Sequence, residues 1–157
     1  MDINSIRRNY GSATLNREDL TDHPIDLFRD WLGAAIKADL VDPTAMSLAT
    51  VSKDGQPSQR TVLLKHVDKE GFVFYTNLGS RKAQEIKGNT RVSLLFSWLP
   101  LERQVKVCGT AQQVSKRQAL SYFVSRPRDS QIAAWTSEQS QKISSRALLL
   151  QQYADIK

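Results

Sequence analysis

The sequence predicts a mainly β protein, a small antiparallel barrel with α-helices flanking it. Three observations carry that prediction. The hydrophobic period changes from helical to strand-like at residue 45, Asp-Gly and Glu-Gly turns then punctuate a run of short strand patterns, and helical patterns return from Lys116.

Residues 1–21 are polar and turn-rich, with Gly11, Ser12 and Asn16, and read as a mobile N-terminal arm with one short helical turn over 5–10. The remaining stretch, 22–157, is the one domain that 157 residues predict. Asp22-His23-Pro24 reads as a helix start, with Asp22 or His23 at the cap and Pro24 in the first turn, where a missing N–H costs nothing. Leu27, Phe28, Trp31, Leu32, Ala35 and Ile36 recur at helical spacing as one core-facing stripe, which Asp42-Pro43 ends. Strand patterns at 46–51 and 58–65 are joined through Lys53-Asp54-Gly55-Gln56, a hairpin turn of the Asp-Gly type. A turn at 67–71 leads to a third strand at 72–76, so an antiparallel meander is expected. A short helix over 80–88 follows, capped by Ser80 and stopped at Gly88-Asn89. Two further strands, 91–98 and 103–114, precede helices at 116–124 and 143–153, and five or more antiparallel strands suggest a barrel.

Composition narrows the function. A lone Cys108 excludes an internal disulfide and fits a small buried side chain better than a nucleophile. The N-terminus has no apolar stretch after its basic residues and no later run reaches the length of a membrane span, so a cytoplasmic protein without membrane contact is expected. Charge is unevenly placed: residues 1–42 hold five basic and eight acidic groups (−3), 43–100 eight and four (+4), 101–157 nine and four (+5). Such an excess attracts nucleic acid, acidic membranes or phosphorylated small molecules, and composition alone leaves all three open, beside a merely soluble surface. Aromatic residues at core-like positions argue against nucleic acid, which needs stacking side chains beside the cations.

No metal-ligand spacing is visible around His23, His66 or Cys108, and the G-x-S-x-G, P-loop and G-x-G-x-x-G signatures are absent. What remains is cationic and amide side chains near strand ends, equipment suited to an anionic cofactor that does the chemistry. Ser80-Arg81-Lys82 puts two cations at the positive end of a helix macrodipole, an unfavourable placement that a phosphate there reverses. In Gln59-Arg60-Thr61-Val62-Leu63-Leu64-Lys65, Arg60 and Lys65 are five positions apart and point to opposite faces of a regular strand; charges guarding a sheet edge are the plainer reading. Gln104 and Lys106 share one strand face, with Val105 and Val107 on the other. Arg126-Pro127-Arg128-Asp129-Ser130, after a helix containing Tyr122, offers two guanidiniums on a rigid Pro turn, suited to phosphate or simply to solvent. Gln139-Ser140 in SEQSQKISS reads as loop.

Taken together, five ordered segments resemble the pyridoxamine 5′-phosphate oxidase family: Asp42-Pro43-Thr44-Ala45-Met46, then 59–65 (QRTVLLK), 74–82 (FYTNLGSRK), Leu101-Glu102-Arg103-Gln104-Val105, and 125–131 (SRPRDSQ). The resemblance implies a split, Greek-key-like β-barrel that forms a homodimer with FMN at the subunit interface. It implies that Arg60, Thr61, Val62, Leu63, Leu64, Lys65, Tyr75, Thr76, Arg81, Lys82, Gln104, Gln139 and Ser140 contact FMN, with Arg81 and Lys82 on its phosphate. It likewise implies that Lys65, Tyr122, Arg126 and Ser130 hold the substrate phosphate, while Arg7, Arg8 and Tyr10 belong to an arm that closes over the substrate. The implied reaction oxidises pyridoxamine or pyridoxine 5′-phosphate to pyridoxal 5′-phosphate, with dioxygen as acceptor and hydrogen peroxide as product. No residue need act as a nucleophile; Lys65, Tyr122 and Arg126 orient. Family members continue past the position matching Lys157, with further strands, a Trp near the flavin and an Arg-x-His element, so a fragment of reduced competence is expected. Alternatives within the same fold are a flavin protein with another substrate or a noncatalytic binder of FMN or pyridoxal phosphate, which Tyr122, Arg126 and Ser130 discriminate because a flavin reductase needs no second phosphate clamp.

Overall fold

The structure, a computed structural model, describes residues 3–7, 9–11, 14–136, 139, 140, 145, 150, 151 and 153–155. The first helix, α1 (Pro24–Lys37), is capped by His23, whose Nδ1 accepts from the Ile25 N–H at 3.2 Å, with Pro24 in the first turn as expected. Its stripe buries Phe28 and Ala35 and packs Trp31 and Leu32 against the core, whereas Ile36 lies exposed near the helix end.

The period-two segments form β1 (Ala45–Val51), β2 (Pro57–Leu63), β3 (His66–Asp68), β4 (Gly71–Val73), β5 (Arg91–Trp98) and β6 (Arg103–Thr110). Four of them make one antiparallel sheet in the order β2-β1-β5-β6. In β1, alternate residues Met46, Leu48 and Thr50 are buried, and their cross-strand partners Val62, Arg60 and Ser58 stand on the same face. Leu94, Phe96 and Trp98 of β5 continue that face, and the Phe28 ring meets Phe96 at 4.9 Å and Phe72 at 4.8 Å between centroids. Trp98 Nε1 donates to the Pro43 carbonyl at 2.8 Å and ties β5 to the connection leading into β1.

Several sequence expectations need correction. Among the described residues the sheet does not close into a barrel: β2 and β6 are its two edges and do not pair. The three-strand meander is also absent. Asp68 Oδ1 accepts from the Glu70 and Gly71 N–H groups, which folds 66–73 into a tight two-stranded hairpin of its own, and β1 takes β5 as its second neighbour. β2 ends at Leu63: the Leu64 N–H makes one further bond in the same register, to the Thr44 carbonyl, and the Lys65 N–H then passes to the Val73 carbonyl. β6 stops at Thr110. The helical turn expected over 5–10 sits instead at Arg17–Asp19, where Asp19 Oδ2 accepts from the Asn16 N–H at 2.8 Å. Cys108 is exposed, on the same outward face of β6 as Gln104 and Lys106.

Three helices follow the sequence pattern or depart from it for a stated reason. α2 (Arg81–Gly88) is capped by Ser80, as expected. α3 (Lys116–Ser125) is capped by Ser115, whose hydroxyl accepts from the Gln118 N–H. The Arg126–Ser130 segment, expected as a rigid turn, opens α4 (Arg128–Thr136): the Pro127 carbonyl accepts from the Gln131 N–H at 3.1 Å, so Pro127 starts a helix. Of the helix expected over 143–153, Leu150, Gln151 and Tyr153 are helical, and most of the rest lies outside the described residues. No helix among the described residues is long and apolar enough to cross a membrane.

Candidate functional site

Where the core face of the sheet runs out, β1, β2 and α2 bring a polar cluster together. Glu85, on the buried side of α2, is 7% exposed and is its centre. Its Oε2 accepts from the Thr50 hydroxyl, from Ser58 Oγ at 2.7 Å and from Arg60 Nη2 at 3.2 Å; its Oε1 accepts from Arg81 Nε at 2.7 Å. Thr50 and Ser58 face each other across the strand pair, so register delivers both hydroxyls to one carboxylate. Arg60 spends both terminal nitrogens on protein: Nη1 donates to the Leu48 carbonyl and to Thr50, Nη2 to Ser58 and Glu85.

Lys82 lies one residue along α2 and is 8% exposed. Its ammonium donates to Thr76 Oγ1 at 3.2 Å and to Gln139 Oε1 at 3.0 Å, both neutral. Among the described residues it has no carboxylate partner. Burial and, secondarily, the Arg60 charge lower its pKa from the ordinary lysine value. The neighbouring Arg81 has a side chain 60% exposed, and only its Nε is engaged among the described residues. Among the described residues the cluster therefore holds three cations against one carboxylate, at a helix start whose Ala83 N–H is taken by the Ser80 hydroxyl.

Burial alone would raise the Glu85 pKa, but the hydrogen bonds from Thr50, Ser58 and Arg81, with the Arg81 charge, outweigh it and hold the carboxyl at about 2. A carboxyl held below its ordinary value of 4.5 contributes stability that is complete above that value and is lost as pH falls towards 2. The thermal midpoint of the wild-type chain is accordingly expected to fall more steeply between those two pH values than that of Glu85→Gln; parallel curves would contradict it.

The second part of the site is a cleft of about 480 Å³ lined by His66, Tyr75, Arg117, Tyr122 and Ser125, among others. Two of its lining residues, Tyr75 and Tyr122, stack directly on each other, 3.7 Å between ring centroids and 3° from parallel. Tyr75 precedes Thr76, the Lys82 partner, so one short segment links the cleft to the cation cluster.

The structure thus gathers Arg60, Thr76, Arg81, Lys82 and Gln139 at one place and Tyr75 with Tyr122 at another. Ser140 follows Gln139 in a turn, with φ of 72°. Thr61 and Leu63 point outward from β2, whereas Val62 and Leu64 give their side chains to the core. Lys65 is exposed beyond the end of β2, and Gln104 is exposed on β6. Arg126 and Ser130 are half-buried, with the Arg126 carbonyl accepting from the Gln131 side chain at 2.7 Å. In the arm, Arg7 Nε donates to the Asn4 carbonyl, Tyr10 is exposed, and the Gly11 N–H donates to Glu102 Oε2 at 2.9 Å. Arg8 lies outside the described residues. Sequence reading passed over Glu85, Thr50 and Ser58; the spacing of Glu85 four residues after Arg81, which pairs them on one helix face, was the available signal. No group of three or more His, Cys, Asp or Glu able to hold a metal occurs among the described residues.

Fold and site together define a class of protein: an antiparallel-sheet protein with a cluster of cations where a strand pair meets a helix start. Comparison with known proteins makes the assignment particular. Residues 32–157 match the family described as pyridoxamine 5′-phosphate oxidase. The chain is 59% identical over 158 residues to the pyridoxine/pyridoxamine 5′-phosphate oxidase of Hahella chejuensis, and 53% identical over 157 residues to that of Aliivibrio fischeri, spanning 100% of this chain and 74% of each relative. The crystal structure of PhzG from Burkholderia lata 383, in complex with tetrahydrophenazine-1-carboxylic acid, matches with a TM-score of 0.87 at 28% identity, over 93% of this chain and 74% of that one. A pyridoxamine 5′-phosphate oxidase-related, FMN-binding protein from Nostoc punctiforme shares the fold at a TM-score of 0.64 and 17% identity, over 83% of this chain and 73% of that one. The chain belongs to the pyridoxamine 5′-phosphate oxidase family.

Proposed function

We propose that this chain binds FMN and oxidises pyridoxamine or pyridoxine 5′-phosphate to pyridoxal 5′-phosphate. The observation that carries the reading is the cation cluster at the start of α2. Lys82 is buried with no carboxylate partner among the described residues, and the Arg81 side chain is 60% exposed with only its Nε engaged among them, an arrangement unfavourable alone and suited to a phosphate. Among the described residues, three cations less one carboxylate leave a formal charge of +2 there, which complements the charge of about −1.5 to −2 on a phosphomonoester at neutral pH. The names of the relatives supply the substrate and the reaction class.

When bound, FMN supplies a two-electron acceptor that dioxygen reoxidises, with hydrogen peroxide as product. The residues of this chain bind and orient. Arg81 and Lys82 hold the FMN phosphate, with Thr76 and Gln139 steadying the Lys82 ammonium. The backbone and outward side chains of 60–65, with Tyr75, Ser140 and Gln104, flank the flavin, and a second copy of the chain completes the site as a homodimer. Lys65, Tyr122, Arg126 and Ser130 hold the substrate phosphate and so fix its reacting carbon, the proximity effect that dominates where no nucleophile is needed. The arm, with Arg7, Arg8 and Tyr10, covers the cleft and excludes water.

The test is direct. The purified chain is expected to carry flavin absorbance and to release FMN on denaturation, and Arg126→Ala is expected to raise KM for pyridoxine 5′-phosphate about tenfold or more with a smaller change in kcat, as loss of a charged phosphate contact predicts. Absence of flavin binding at saturating FMN would overturn the cofactor; an unchanged KM would overturn the substrate.

A further inference from the structure

We propose that Glu85 is a positioning residue for phosphate recognition, gripping Arg81 by its Nε so that both terminal nitrogens are presented as a pre-set fork at the start of α2. The proposal rests on the FMN reading above and adds to it a residue that does not touch the ligand.

The geometry separates two tasks on one carboxylate. Oε2 collects Thr50, Ser58 and Arg60, all on the strand pair, and so fixes the carboxyl plane against the sheet. Oε1 has a single partner among the described residues, Arg81 Nε, at 2.7 Å and four residues away on the same helix. An Arg81 side chain that is 60% exposed is not held by packing. Held at Nε, it keeps its planar head in one orientation and loses little further freedom when a phosphate arrives. Glu85 also sets the charge of the site. Without it, Arg60 and Lys82 would face each other uncompensated, and the lowered Lys82 pKa already registers the Arg60 charge. A charge at this position is not needed for packing as such, because a buried ion pair is often matched by apolar residues of similar volume. The carboxylate is better explained by what it does to the two arginines.

The measurement is the dissociation constant of FMN and of riboflavin, which lacks the phosphate, for the wild-type chain and for Glu85→Ala and Glu85→Gln. Glu85→Ala is expected to raise the FMN constant about tenfold or more, and Glu85→Gln about threefold or more, because the amide supplies one acceptor oxygen for two arginines; riboflavin should shift less than about twofold in both. Glu85→Gln keeps the side-chain volume and serves if the alanine variant fails to fold. In an Arg81→Ala background, Glu85→Gln should cost FMN binding much less than it does in the wild type, the non-additivity expected of a residue that acts mainly through Arg81. A ratio of FMN to riboflavin affinity unchanged in Glu85→Gln, while the wild type prefers FMN, overturns the role of Glu85 and leaves the phosphate site standing. Equal binding of both flavins by the wild type overturns the phosphate site itself, and the proposal with it. A loss that is equal for both flavins marks Glu85 as merely structural and also overturns it.

Discussion

Lys82→Met is expected to weaken FMN binding about 100-fold, the equivalent of one charge-assisted contact worth ~3 kcal/mol. It is also expected to raise the thermal midpoint of the flavin-free chain. The opposed signs come from one fact: the ammonium is buried, hydrogen-bonded to Thr76 and Gln139, and has no carboxylate among the described residues. Removing a buried charge that lacks a counter-ion relieves a desolvation penalty, and methionine fills a similar volume. The lowered pKa has the same direction, since the charged form is disfavoured in the fold and stability gains as pH rises through that lowered pKa. Flavin titration and thermal denaturation of the apo-protein give the two numbers. A variant that loses stability while keeping FMN affinity would mean that Lys82 serves the fold and not the ligand.

Phe96→Ala is expected to cost ~3–5 kcal/mol of unfolding free energy, the range for emptying a fully buried aromatic site. Phe96 is 0% exposed and lies between the helix layer and the sheet, with the Phe28 ring at 4.9 Å, Trp98 at 5.7 Å and Phe72 at 6.0 Å. The cavity would open where α1, β5 and the β3–β4 hairpin meet, so three elements lose their common contact. Urea denaturation followed by tryptophan fluorescence checks this, because Trp98 reports from beside the site. A loss below about 1 kcal/mol would mean that the hairpin collapses into the gap, and that the core is far more plastic than close packing allows.

Much of this was legible in the residues. The helix starts at His23-Pro24 and at Ser80, the Asp-Gly hairpin and the alternating face of β6 follow from local chemistry and are found as expected. Strand partnership was not legible, because β1 chooses β5 across more than forty residues and nothing local to 72–76 says that its hairpin stands apart. Pro127 was misread for a related reason: proline serves a rigid turn and a helix start equally well, and the Gln131 N–H decides. In the site, Arg81 and Lys82 were visible as cations in an unfavourable place. Glu85 was hidden, since a single acid in a basic helix reads as a solvated charge until burial and register put Thr50, Ser58 and Arg60 around it.

The placement of these residues along the chain bears on how the molecule assembles. Thr50, Ser58, Arg60, Thr76, Arg81, Lys82 and Glu85 all come from residues 50–85, the first hairpin and the segment that leads out of it, and among the described residues Gln139 alone arrives from far away. The β1–β2 and β5–β6 pairs are each local, whereas β1–β5 must close the whole intervening loop. α2 lies within that loop. Its Glu85 fastens it to the first hairpin, so these contacts, once formed, shorten the free chain that must be closed when the two halves of the sheet meet, and with it the loop-closure entropy of joining them.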